Sequence, residues 1–355
     1  VCRVATPRRS NGINVTPNYH IMKFFETTFD HHIKSVQKVN LHPELLPIWK
    51  TMPPPSGLVL FPNMIFYGPS GVGKYTQMLY CIHRYSACEL KINKKISIQF
   101  NKQNYTYHIS DIHYEIDMAL LGCNSKLLWH DIFCQIVDII SVKTEKIGII
   151  VCKNFHAIHN ELLEIFYSYM QQYNSLAHSN ILVKFILVTE NISFIPNHII
   201  NTCYMVRVAR PNYGLILPPT AAAAAMHPPV TNIKELLSQT AAAAAVVADT
   251  PQKSFFLICN TIIKQILDYK NLSFTVFRDT IYDIFIYNLD VAECIWYIVT
   301  EIIRKNVISN KGITNIIIKS YTFLQYFNNN YRPIYHLESF FIYIIIQYNE
   351  SIAGV

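Results

Sequence analysis

Charge is scarce in this sequence: Asp, Glu, Lys and Arg make up 15% of its 355 residues, against 51% apolar and 13% aromatic residues. So thin a supply leaves much surface to be covered by partners rather than water, which fits a subunit of an assembly better than a free monomer. Long hydrophobic runs are missing too. The most apolar stretch, Phe340 to Ile346, is far shorter than a bilayer requires and is flanked by Glu338 and Gln347, so no transmembrane helix and no membrane partner are expected. The nine cysteines form no C-x-x-C pair and no cluster at zinc-ligand spacing. That speaks against a disulfide framework and against structural zinc, and the chain reads as intracellular and reduced. The N-terminal arginines precede no apolar core of a secretion signal. A net charge of +7 fits work near polyanions and equally fits simple solubility.

Apolar patterning divides the chain. Residues 1–18 mix Arg, Pro, Asn and Thr without periodicity and read as a flexible leader. Over 19–210, the short apolar runs Met64–Tyr67, Gly148–Val151 and Val183–Val188 alternate with helical patterns, which predicts an α/β module with a buried, mostly parallel sheet and flanking helices. Residues 211–250 carry two identical TAAAAA runs and read as a reduced helical segment or low-complexity linker, with only Asn232–Gln239 looking helical. From 251 to 355 the apolar residues fall at helical spacing, which predicts a separate all-α domain. Its stripe Ile281, Phe285, Ile295, Ile298, Ile302 either fills the bundle's own core or faces partners, since periodicity does not separate inner from outer burial.

The stretch GPSGVGKYT, Gly68 to Thr76, follows an apolar strand and opens a helix through Met78, Leu79 and Ile82. Glycines that turn backbone N–H groups toward one point, a helix N-terminus and a lysine make a phosphate cradle in this context. Gly68, Pro69, Ser70, Gly71, Val72, Gly73, Lys74, Tyr75 and Thr76 are therefore the candidate nucleotide-binding residues. The hydroxyl that would hold magnesium belongs directly after the lysine, where Tyr75 stands with a phenol too long for the task. Acids belong at the end of a neighbouring strand, and the segment GIIVCKNFHAIH offers Lys153, Asn154 and His156 instead. The expectation is phosphate binding without cleavage, with no catalytic residue and no metal ligand, and with metal handling lost. His156 and His159 stand three apart without a third ligand and read as a surface helix start.

These residues resemble one family, the small subunits of the clamp loader replication factor C among the AAA+ ATPases, and within it the subunit whose own ATP site is degenerate. GPSGVGKYT matches that subunit's loop, in which the hydroxyl is likewise displaced; ISDIHYEIDMALLGCNS at 109–125 and YRPIYHLESFFIYII at 331–345 are similar to two further segments of it. FRDTIYDIFIYNLDVAECIWYI at 277–298 resembles the family's collar helices and is similar to the divergent loader subunits of large DNA viruses. The resemblance implies an AAA+ module at 19–210, a reduced lid at 211–250 and a collar at 251–355. It implies weak ATP or ADP binding, a hetero-pentamer with other clamp-loader subunits, a sliding clamp as partner, and primer-template DNA met through its backbone, in a nucleus or a viral replication factory. It also places Thr189 at the sensor position. The chain departs from the family at Thr202, where an arginine finger is expected, and in lacking the motif that seats adenine. Two other readings are open: an active P-loop ATPase with unusual metal ligands such as Glu190 or Asp138, and a scaffold subunit that has abandoned nucleotide.

Overall fold

The computed structural model describes residues 28–100, 103–122, 125–174, 180–211, 251–327 and 332–353. The leader at 1–18 and all but the first residue of the segment at 211–250 lie outside the described residues, as does the helical reading of Asn232–Gln239.

Seven strands form one sheet: β1 (Asn63–Tyr67), β2 (Lys94–Phe100), β3 (Gln103–Ile109), β4 (His113–Asp117), β5 (Ile147–Lys153), β6 (Leu182–Thr189) and β7 (Cys203–Arg207). They lie in the order β2-β3-β4-β5-β6-β1-β7. The five strands from β4 to β7 pair in parallel, and the β2–β3 hairpin extends the sheet by antiparallel pairing on β4. The mostly parallel sheet expected from the apolar runs is therefore present. β1, β5 and β6 read as near-continuous apolar runs because both of their faces are covered.

Successive side chains of β5 go to opposite cores, as the period of two requires. Ile149 and Val151 pack with Met78, Leu79 and Ile82 of α3 (Lys74–His83), Trp49 of α2 (Leu46–Thr51), and Phe29 and Ile33 of α1 (Phe29–Lys38). Ile150 and Cys152 pack on the other side with Trp129 and Ile132 of α4 (Ser125–Val142) and Leu162 and Phe166 of α5 (Asn160–Gln172). A short α6 (Asn197–Ile200) leads into β7.

The C-terminal region is all helical: α7 (Pro251–Leu267), α8 (Phe274–Ile286), α9 (Val291–Arg304), α10 (Asn310–Phe327) and α11 (Pro333–Ala353) surround a core of their own. Of the two roles open to the stripe, the inner one is realised. Ile281, Ile295, Ile298 and Ile302 are buried inside the bundle, with Phe285 packed against them. The apolar side chains left exposed are others, among them Ile286, Trp296, Ile317, Ile318 and Tyr321. No helix among the described residues is long and apolar enough to cross a membrane.

Candidate functional site

The parallel register brings three strand ends together at the loop. Tyr67, the last residue of β1, is paired with Thr189 of β6 on one side and Arg207 of β7 on the other. The chain then turns through Gly68, Gly71 and Gly73, whose φ values of 154°, 69° and 90° suit glycine. Gly68 also has no room for a side chain, since a Cβ there would lie 2.1 Å from the carbonyl oxygen of Val208, whose own N–H donates to Tyr67 at 2.8 Å. Val72 is fully buried, and its carbonyl accepts from Nε2 of the buried His42 at 2.7 Å, which anchors the loop's middle. Gly73 is the N-cap of α3, so the loop runs straight into a helix N-terminus.

Lys74 is folded back over this turn. Its ammonium donates to the carbonyls of Gly68 at 2.8 Å and Pro69 at 2.6 Å. Burial lowers its pKa from the usual lysine value, while the carboxylates of Glu190 and Asp290 act in the opposite direction. The mouth of the loop is a cavity of about 290 Å³ shared by Gly68, Pro69, Ser70, Glu190 and Arg207 with Asp290 and Trp296 beside and within α9. Arg210 and Glu293 form an ion pair of 3.4 Å between the module and α9.

The next residue leaves the loop altogether. The Tyr75 hydroxyl donates to Oε1 of Glu115 at 2.7 Å, three strands away from β1 on β4. The Lys153 ammonium lies 5.4 Å from the centre of the Tyr75 ring and 3.2 Å from Oε2 of Glu115. His113 completes the cluster, with Nε2 3.2 Å from Glu115 Oε1 and Nδ1 against the Ser110 hydroxyl. Burial alone would push the Glu115 carboxyl up. Hydrogen bonding and charge from His113, the Lys153 charge and the Tyr75 hydroxyl outweigh it and hold the group down at about 2. Burial and the adjacent carboxylate push the Tyr75 phenol up, so it stays a donor. The cluster borders a second cavity of about 690 Å³, which Lys95, His32 and His108 also line.

The remaining sequence-predicted residues are turned to local tasks. The Thr76 hydroxyl is 3.2 Å from Nδ1 of His32 on α1. Thr189 is buried and donates to the carbonyl of Asn191 at 2.7 Å. Asn154 takes a left-handed conformation and donates from Nδ2 to both oxygens of Asp117, each at 3.0 Å. Thr202 donates to the carbonyl of Ile199 at 2.9 Å. Asp138 lies on the exposed face of α4, whereas Glu190 opens into the loop's mouth with His156 Nε2 3.9 Å from its Oε2. His159 is the N-cap of α5. Among the described residues, no group of three or more His, Cys, Asp and Glu side chains is placed to hold a metal ion.

The loop has the parts a phosphate group needs: glycine turns at Gly68, Gly71 and Gly73, a helix N-terminus at Gly73 and the Lys74 ammonium held against the loop's own carbonyls. Magnesium does not fit. Its hydroxyl ligand is replaced by a phenol committed to Glu115, and its strand-end carboxylate is replaced by an ammonium. Sequence reasoning missed Glu115, His113 and His42, and the one signal available was a charged residue inside HYEID, a strand whose other residues are buried or nearly so.

No protein-family profile matches the chain, and no curated protein sequence matches it. Among solved structures it is similar to two of the Thermotoga maritima protein RuvB. One is a point variant at 13% identity, and one is described as a Holliday junction branch migration motor at 15% identity. Each has a TM-score of 0.28, covering 52% of this chain and 47% of that one, so the chain spans about half the length of the structures it matches. At that TM-score the similarity adds nothing to the sheet order described above.

Proposed function

We propose that this chain is a nucleotide-binding, noncatalytic subunit of a clamp-loader assembly, of the replication factor C small-subunit type. The observation that carries it is the separation of two functions between adjacent residues: Lys74 stays in an intact phosphate loop, while Tyr75 is withdrawn to Glu115. A loop kept for phosphate without the means to hold magnesium fits a subunit that binds ATP or ADP and leaves hydrolysis to its neighbours. The parallel sheet followed by a helical bundle supports the division into an AAA+ module and a collar. The segments at 109–125 and 331–345 support the clamp-loader type by their resemblance. In this role the chain contributes architecture and clamp contact, and it meets primer-template DNA through backbone phosphates without base readout.

The test joins binding to assembly. The purified chain is titrated with a fluorescent ATP analogue, assayed for turnover, and used to capture its partners from native cells. Nucleotide binding without turnover, together with recovery of sibling ATPase subunits and a ring-shaped clamp, is the expected result. Turnover by the isolated chain overturns the noncatalytic role, and binding to none of those partners overturns the clamp-loader role.

A further inference from the structure

The cavity at the mouth of the phosphate loop has two dissimilar walls. Gly68, Pro69 and Ser70 form one, and Trp296 of α9 with Tyr321 and Leu324 of α10 form the other. Trp296 is 44% exposed and Tyr321 51%, and neither ring belongs to the helical region's own core. Glu293 and Trp296 stand three apart on α9 and so share a face, which the 3.4 Å ion pair of Glu293 with Arg210 holds toward the module. Ser193 lines the same cavity. It is 5% exposed, and its hydroxyl meets no hydrogen-bond partner among the described residues. A buried hydroxyl left open beside a cavity is a place for a ligand group to complete the bond.

Resting on the phosphate-binding role proposed above, we infer that the helical region supplies the base-binding half of the nucleotide site, with the Trp296 indole as the surface on which the base stacks. The charges in the cavity agree with this division. Glu190, Asp290 and Glu293 set three carboxylates against the guanidiniums of Arg207 and Arg210, and Arg210 is taken by Glu293. Carboxylates accept hydrogen bonds from ribose hydroxyls and from a base amino group, and they repel bare phosphate. An inorganic polyphosphate is therefore disfavoured beyond the loop itself, whereas a nucleotide brings a neutral, flat end to the aromatic rings and acceptors. The cavity's volume of about 290 Å³ is close to the roughly 300 Å³ at which small-molecule sites begin, so it takes the nucleoside end and leaves the phosphates to the loop. The ligand class is a nucleotide with a stacked base, and the Ser193 hydroxyl completes its bond on that same end.

The experiment titrates the full-length chain with ATP and, separately, with inorganic tripolyphosphate, followed by calorimetry and by tryptophan emission. Trp49 and Trp129 are buried, which makes Trp296 the exposed reporter of the three tryptophans. ATP is expected to bind more tightly than tripolyphosphate and to quench the emission. Trp296→Ala should weaken ATP binding about tenfold, a change of about 1.4 kcal/mol, and leave tripolyphosphate binding unchanged. Trp296→Phe should keep most of the ATP affinity while losing the quench, and Ser193→Ala should weaken ATP binding alone. Tripolyphosphate binding as tight as ATP, or ATP affinity indifferent to Trp296→Ala, overturns the inference and leaves the phosphate-binding role intact, whereas binding of neither probe removes the two together.

Discussion

Lys74 donates its ammonium to the carbonyl of Gly68 at 2.8 Å, closing the phosphate loop on its own lysine six residues downstream. Binding a phosphate means exchanging that carbonyl, and the one from Pro69, for anionic oxygens. Lys74→Ala should therefore weaken binding of a fluorescent ATP analogue at least about tenfold, since a buried charge-assisted contact is worth roughly 1.5–3 kcal/mol. Phosphate release from ATP should stay at background in both proteins. Equal affinity in the two would point instead to a scaffold without nucleotide.

Acid should unfold the module early through Glu115. Its carboxyl is held at about 2 in the folded chain against 4.5 ordinarily, so its stabilising contribution is fully present above pH 4.5 and is lost as the pH falls toward 2. The amount at stake is on the order of 3 kcal/mol. Melting temperatures recorded across that window should drop in the wild type, and Glu115→Gln should flatten the drop while lowering stability near neutrality.

Gly68→Ala tests the loop's geometry. An added methyl meets the Val208 carbonyl at 2.1 Å, and the φ of +154° is itself hostile to a side chain. Backbone must move apart on β1 and β7, so a loss on the order of 3 kcal/mol is expected in denaturant unfolding. Nucleotide affinity should fall with it.

In the helical region, Glu338 is 4% exposed and receives two donors from Arg278, Nε to Oε1 and Nη2 to Oε2. Arg278→Ala should lower the melting temperature by leaving a buried carboxylate without its cation, and adding Glu338→Leu should recover much of the loss. Thermal denaturation of the three variants decides this.

How far the sequence could be read depended on how local each signal was. β1, β5 and β6 were legible because strands covered on both faces need apolar residues at nearly every position. The hairpin of β2 and β3 was not, because KKISIQF and QNYTYHI are polar enough to pass for loop. The loop from Gly68 to Thr76 announces itself within nine residues. Its altered chemistry depends on Glu115, 40 residues away, and no pattern along the chain connects the two. The apolar stripe of the helical region shows the same limit: helical spacing predicted that Ile281 and Ile295 would be buried, but only packing shows that their own bundle buries them.

The left-handed turn at Asn154 bears on whether a chain of the proposed noncatalytic type has an evolutionary way to catalysis. Its amide satisfies both oxygens of Asp117, a bond pattern that needs a donor, and a glutamate at that position would set two like charges against each other at the C-terminal ends of β4 and β5. Reversion one residue at a time is thus uphill from the start. Asp117 has to change before Asn154 gains by becoming acidic, and Glu115 has to be released before Lys153 or Tyr75 revert without stranding a buried charge. On the noncatalytic role proposed above, silence at this loop is entrenched, and a lineage carrying it should drift further from turnover while its fold is kept.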